Sequence, residues 1–529
     1  MIRTLLTAAF VLLLSTSTVT AGNTRKGVGC WRTVTAHHKA AARMMSRHKM
    51  DNGTPTNYRG EKRGLVILAE FTDTKFANGH DRDKYDNILN TPGYTTNEGF
   101  VGSVNDYFRD QSAGLFDLHF DVVGPYTTKH NYKYYGENDV QGLDLRPQDM
   151  ITEMCHAADD DVNFADYDWD GDGEVDEVFV LYAGKGESDN TPGKPNLIWP
   201  HMWTLVEANG QPLQLDGVDI NIYACSNELS ASGRINGIGT FCHEFSHCLG
   251  LPDFYDITYS GAFGMHNFDL MSRGNYAGNG FRPVGYTAYE KMACGWQEPI
   301  VLSDQDVTID SIKPISEDGN TYIIYNDTYP DEFYMIENRQ NIGWDTNYPA
   351  KGLMITHVDY DAEVWENNIP NSILTLEEAL KLELTCGNDH QRMAFFHADD
   401  DDDSKYWSSI GRYYTKSTLT TDLYPYLTHD SLTATSKPAA TLFHENSQGT
   451  KLMQGAILDI TQNDDGTMSF RYRVPNSIPD GIKTIEDTGR CPDTIYDLKG
   501  RKIVHGTSSN GTLPPGIYIV QGKKYIQKR

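Results

Sequence analysis

Apolar positions along the chain change their rhythm near Pro299. Upstream they come as short continuous runs, such as Leu65 to Ala69 in RGLVILAEFTD and the stretch EVFVLYAG from Glu177 to Gly184. Runs of that length between turn residues predict buried strands. The segment VGSVNDYFRDQSAGLFDLHFDVVGPY reads as a helix, a break at Gly114 and a strand. GRINGIGTFCHEFSHCLG reads as a helix stopped by Gly250. Downstream, NTYIIYN, EFYMIENRQ, GLMITHVDY, GAILDITQ and TMSFRYR are short alternating or apolar runs between turn residues, a pattern of antiparallel β structure. A helical insert, ILTLEEALKLEL, interrupts them. PNSIPDG sets off a tail from about Asn476, whose short strand pairs and Pro-Pro-Gly turn predict a small β module. No repeat of solenoid period is evident.

The first residues carry Arg3, an apolar run from Leu5 to Leu14 and small polar residues up to Ala21, the layout of a signal peptide cleaved after Ala21. That run is too short to span a membrane, which takes about 20 apolar residues. The expected organisation is therefore a signal peptide (1–21), a candidate pro-segment (22–62), a first folded domain (63–299), a β-rich domain (300–475) and a C-terminal module (476–529). The expected location is secreted or at the cell surface. With 45 basic and 73 acidic residues the formal charge is −28, which argues against nucleic acid as a partner and leaves carboxylates free for hard cations. Eight cysteines without a C-x-x-C pair allow one or two disulfides that spacing cannot assign. Cys242 and Cys248 point to different sides of one helix and are not expected to pair.

Chemistry concentrates in FCHEFSHCLGLPDFYD, Phe241 to Asp256. His243 and His247, four apart, share one helix face, so two imidazoles can bind one metal from a rigid element. Glu244, one step around, can reach a water on that metal without being a ligand. Gly250 lets the chain double back, and Asp253 is then in position as a third ligand, completing H-E-x-x-H-x-x-G-x-x-D. Glu290 in YTAYEKMACGW is the rival third ligand. Three protein ligands leave one position for a zinc-bound water, with Glu244 as general base and then acid toward the leaving amine. Met271 in FDLMSRGNY follows in a turn-rich setting, and Tyr276 is a candidate to assist the oxyanion.

With its methionine, this arrangement resembles the metzincins. The order of RGLVILAEFTD, GSVNDYF, DGEVDEVFVLYAG, CHEFSHCLGLPDFYD, FDLMSRG, PVGYTAYEKMACGW and YMIENRQNIGWD…GLMITHVD is similar to the immune inhibitor A (M6) family of secreted metallopeptidases, over roughly Arg63 to Asp361. The resemblance implies an α+β metzincin-like zinc peptidase domain followed by antiparallel β-sandwich-like domains. It implies His243, His247 and Asp253 as zinc ligands, Glu244 as catalytic base, Met271 as the turn methionine, and protein or peptide substrates. The tail IYDLKGRKI…LPPGIYIVQGKK is similar to type IX sorting segments, which would contact secretion machinery.

A second metal pattern starts at Asp166 in DYDWDGDGEVDE. Asp166, Asp168, Asp170, Asp172 and Glu177 fit D-x-D-x-D-G-x5-E around Gly171, predicting a structural Ca2+ loop. The next residues read as a strand, which excludes a signalling EF-hand. The acidic runs Asp159 to Asp161 and Asp399 to Asp403 lack alternation and read as solvated. Three functions compete: a secreted zinc endopeptidase, a non-catalytic surface-binding protein with a vestigial zinc domain, and a cell-wall amidase. The intact Glu244 favours the first.

Overall fold

The apolar run at Leu65 to Ala69 is continuous because both of its faces are covered. In the computed structural model, which describes residues 58–474 except 140–141, 189–195, 259–260, 304, 383 and 403–418, and the backbone of 482–484, 495–497, 502–503, 516–520 and 523–527, strand β1 spans Gly60–Glu70. Val66 and Leu68 enter one core while Leu65, Ile67 and Ala69 enter another on the opposite face. That division is what a parallel sheet with two covered faces requires of its strands. Helices α1 (Arg82–Asn90) and α2 (Val104–Gln111) lead to β2 (Phe116–Thr127), which lies parallel to β1. Helix α3 (Pro147–Ala158) covers the second face with Met150, Ile151, Met154 and Cys155 and leads toward β3 (Val178–Lys185). Strands β4 (His201–Thr204) and β5 (Ile222–Leu229) complete a sheet in the order β2-β1-β3-β5-β4, in which β4 alone runs antiparallel and forms one edge.

On the first face lies α4 (Gly239–Cys248). Phe241 stacks on Phe179 of β3 at 3.9 Å between centroids, and Phe245 meets Phe108 and Phe120. The stripe Phe241, Cys242, Phe245, Cys248 and Leu249 fastens the helix to the sheet. His243, Glu244 and His247 therefore point the other way.

The packed unit reaches further toward the N-terminus than Arg63. Tyr58 is buried, its backbone carbonyl accepts from Trp296 Nε1 at 2.9 Å, and β1 pairs with β2 from Gly60 onward. Residues 58–62 of the candidate pro-segment are thus part of the packed unit. The expected signal peptide and most of the candidate pro-segment lie outside the described residues.

The chain after Pro299 forms two sheets. One contains β6 (Ile300–Val301), β8 (Tyr322–Tyr325), β9 (Glu332–Arg339), β10 (Gly352–Asp359) and β11 (Met393–Phe395), in the order β11-β10-β9-β8-β6. The other contains β7 (Val307–Ile312), β12 (Ala456–Gln462) and β13 (Met468–Arg473). Ile324, Tyr334, Ile336 and Ile355 share a core with Ile309, Ile457, Ile460 and Phe470 of the smaller sheet. The opposite face of the larger sheet does not meet solvent. Phe333, Met335, Met354, Val358, Met393 and Phe395 belong to the same core as α4. The change of rhythm at Pro299 thus marks a change of architecture without a break in packing.

One buried cation reinforces the junction. Arg339 is fully buried, pairs with Glu337 and Asp345, and donates to the carbonyls of Gly285 (3.1 Å) and Tyr286 (2.8 Å). Glu337 also accepts from the backbone N–H of Ala288, the first residue of α5 (Ala288–Ala293). Beyond residue 474 the backbone forms five short strands between Ile482 and Gln527, joined in one sheet. Among the described residues no helix is long and apolar enough to cross a membrane. The described cysteines, Cys155, Cys225, Cys242, Cys248, Cys294 and Cys386, are free thiols.

Candidate metal and catalytic site

The end of α4 builds the site. Gly250 has φ +87°, and the N–H groups of Gly250 and Leu251 return to His247 O (2.9 Å) and Ser246 O (3.3 Å). This pair of bonds is a Schellman closure, which needs a left-handed residue at Gly250. The reversal carries the Leu251 carbonyl under His247, whose Nδ1 lies 2.7 Å from it. His243 Nδ1 similarly lies 2.9 Å from Leu270 O. A Nδ1–H donated to a carbonyl leaves each Nε2 as a bare lone pair, the usual arrangement around metal-binding imidazoles. At the other end of α4, a Cβ on Gly239 would lie 1.9 Å from Asn275 O, so glycine lets the helix approach the 3-10 segment Arg273–Gly280.

Asp253 meets the two histidines. Its Oδ1 lies 3.2 Å from His243 Nε2 and 3.6 Å from His247 Nε2, and all three side chains are buried. A tetrahedral ion with bonds of about 2.0–2.2 Å would set its ligands about 3.3–3.6 Å apart. The donor set and spacing therefore fit zinc. Burial alone would pull the His243 imidazole down, yet Asp253 and Glu244 hold it up at about 9. The pocket thus favours positive charge between these groups. Burial pushes Glu244 up to about 7, against the pull of His243 and of a hydrogen bond from the Met202 backbone. Met202 belongs to edge strand β4, so the carboxylate lies beside that strand.

Asn368 is the residue that sequence reasoning missed. It follows α6 (Ala362–Glu366), is fully buried, and clamps Asp253 twice. Its Oδ1 accepts from the Asp253 N–H at 2.6 Å, and its Nδ2 donates to Asp253 Oδ2 at 2.9 Å. Oδ1 of Asp253 is thereby the oxygen turned to the histidines. Neighbouring Asn371 donates to Phe254 O, and Ser372 Oγ accepts from Ile257 N–H. The segment 368–372 thus holds the returning chain from Asp253 to Ile257. Partners of a ligating carboxylate typically change metal affinity by about 10–100-fold when removed. Asn368→Gly keeps the left-handed backbone (φ +56°) and removes both bonds. It should weaken zinc binding by about that factor in a competitive chelator titration, and unchanged affinity would show the clamp to be idle.

The other predicted residues are spread around the site. Glu290 caps α5 through the box Thr287-x-x-Glu290, its Oε2 accepting from the Thr287 N–H, so it is not brought to the histidines. Met271 is buried, and its carbonyl accepts from the N–H of Phe254, one residue past Asp253. Tyr276 stands 52% exposed in Arg273–Gly280.

The acidic residues of the predicted loop fall into different surroundings. Asp168, Asp170 and Asp172 each turn a carboxylate oxygen toward one point, whereas Asp166 is engaged by Arg63 at 2.6 Å and Glu177 is buried. Burial raises Glu177 well above the usual carboxylate range, among neighbours Cys248 and Glu244 on the α4 side. Asp176 faces the loop instead. It accepts from the Trp169 N–H, and burial together with Asp170 and Asp168 holds it at about 8. Asp168, Asp170 and Asp172 thus lie together ahead of Gly173, with Asp176 behind them. Gly171 and Gly173 N–H groups close the turn on the two oxygens of Asp168.

Comparison with known proteins converges on the same stretch. Residues 61–296 match the family model of the immune inhibitor A peptidase M6 catalytic domain. Over 277 residues the chain is 25% identical to Immune inhibitor A of Bacillus thuringiensis subsp. alesti, covering 43% of this chain and 38% of that protein. It is 26% identical over 286 residues to Pre-pro-metalloprotease PrtV of Vibrio cholerae serotype O1 (strain M66-2), covering 44% of this chain and 30% of PrtV. The match thus spans well under half the length of these relatives. His243, Glu244, His247, Asp253 and Met271 all fall inside the matched residues, and Asn368 falls outside them.

Proposed function

We propose that the chain is a zinc-dependent endopeptidase of the M6 type. The observation that carries this reading is the convergence of His243 Nε2, His247 Nε2 and Asp253 Oδ1 beside the buried Glu244, within the stretch that matches the M6 catalytic domain. His243, His247 and Asp253 would hold the metal. When bound, such an ion lowers the pKa of a coordinated water and polarises the scissile carbonyl. Glu244 takes the proton of the attacking water on its carboxylate and delivers it to the leaving nitrogen, which suits a group poised near neutrality. Edge strand β4 gives a substrate an antiparallel backbone to pair with, which would lay an extended peptide alongside Glu244. Met271 holds the chain one residue past Asp253 through its bond to Phe254. Hydrolysis of casein or gelatin should be abolished by chelation and restored by stoichiometric zinc. An active chelated protein, or one that cleaves only cell-wall amides, would refute the reading.

The loop at Asp168, Asp170 and Asp172 is our proposed Ca2+ site, with a structural role. Its carboxylates repel one another without a cation. An ion binding only the native state stabilises it by about 2.7 kcal/mol at one hundred times its Kd. Calcium should therefore raise Tm, Asp170→Asn should abolish the rise, and Asp166→Asn should leave it intact. A rise lost with Asp166→Asn and kept with Asp170→Asn would favour the frame that starts at Asp166.

A further inference from the structure

A second cluster of metal-type donors lies in the β-rich region. His397, two residues past β11, Asp399 in the loop that follows, and Asp422 bring one donor atom each within 4.8 Å of one another. His397 and Asp422 are buried, and Asp422 has no exposed surface. Among the described residues, neither carboxylate oxygen of Asp422 nor His397 Nδ1 has a well-aligned hydrogen-bond partner. Yet His397 Nδ1 and Asp422 Oδ1 are only 3.2 Å apart. Two groups that close would ordinarily share a proton along the line between them. Here the two face each other as a poorly aligned pair, a geometry that two lone pairs turned to a third point would also give. The same 3.2 Å separates His243 Nε2 from Asp253 Oδ1 in the catalytic cluster.

The surroundings hold these donors in place. The His397 ring lies between Phe395, stacked at 4.4 Å, and Phe263, edge-on at 4.7 Å, which fixes its orientation. Asp399 is fixed by the Asp401 N–H at 3.0 Å and by Thr421 Oγ1 at 2.5 Å. The backbone closes the same loop, since the Ala398 N–H donates to Asp422 O at 2.8 Å. Leaving a buried carboxylate without a hydrogen bond is costly, and a cation is the partner that repays it. Asp399 therefore separates from the acidic run that the sequence presents as uniformly solvated.

We propose that His397, Asp399 and Asp422 form a second divalent-metal site, of structural type and distinct from the catalytic cluster. One imidazole with two carboxylates suits a first-row ion such as Zn2+ and disfavours Ca2+, which prefers all-oxygen ligation. The ion would tie the exit of β11 to the segment at Asp422, just before Tyr424, which bridges to Leu353 of β10.

The test uses the full chain, with excess Ca2+ present to fill the acidic loop, and counts bound Zn2+ by elemental analysis after dialysis. The wild type should hold two equivalents, and the His243→Ala/His247→Ala variant one. Adding Asp422→Asn to that variant should leave none. The remaining equivalent, replaced by Co2+, should give visible absorption bands that disappear with His397→Gln. If Asp422→Asn does not fold, Zn2+ added to the stripped His243→Ala/His247→Ala protein must raise its Tm and saturate at one equivalent. A wild type holding a single equivalent, or one unaffected by Asp422→Asn and His397→Gln, would overturn the site. Displacement of the second equivalent by Ca2+ would overturn its chemical class.

Discussion

Glu244→Gln should lower kcat/KM for peptide hydrolysis by about 10²–10⁴-fold while leaving zinc stoichiometry and Tm unchanged. The glutamine has nearly the same shape and cannot accept the proton of an attacking water. It is not among the three donors facing one another, so the metal cluster keeps its members. The environment also sets the sign of the pH effect. Glu244 works as a base only when ionised, so the rate should fall as pH drops through its pKa. Burial places that pKa at about 7 without a metal, and a neighbouring cation favours the carboxylate. The acid limb of the wild-type profile should therefore lie at or below pH 7 and be absent from the residual rate of the variant. A Gln variant with full activity would remove Glu244 from the reaction. A wild type that binds zinc but cleaves nothing would favour the surface-binding alternative.

Much of this site is legible in the sequence because it is local. Two histidines four apart, a glutamate beside the first and a glycine three past the second are fixed by helical geometry and one left-handed residue. What was not legible is long-range or degenerate. Asn368 lies 115 residues from Asp253, and nothing in its surroundings marks it as a clamp. Its signal is weak but real: NNIPNS is dense in side-chain amides for a segment that turns out to be buried. The alternating aspartates of the acidic loop fit two frames, one starting at Asp166 and one at Asp168. The contact with Arg63, from a strand a hundred residues away, sets Asp166 apart from the other three. For Glu290 the signal is local, since Thr287-x-x-Glu290 is a capping box that assigns that carboxylate to a helix end.

Packing that continues across Pro299 yields the sharpest structural prediction. A chain limited to residues 58–299 should not fold cooperatively and should bind no zinc. Alternating apolar residues reveal that a strand has two faces, but not that the second face covers a neighbouring core. Here Phe333, Met335, Met354, Val358, Met393 and Phe395 cover the core that supports α4 and Met271. Each large side chain loses about 1.5–3 kcal/mol when its burial is lost, and a domain's whole margin is about 5–15 kcal/mol. The cut would also expose the partners those side chains cover and remove Arg339, which ties Gly285 and Tyr286 to the larger sheet. Asn368 would go too, leaving the Asp253 carboxylate without its clamp. Extending the fragment through Val474 should restore one cooperative transition and zinc binding together, because the missing face and the clamp return in the same segment. Fluorescence-monitored denaturation with zinc titration on both fragments decides the matter. A 58–299 fragment that unfolds cooperatively and binds one zinc would show the catalytic unit to be independent after all.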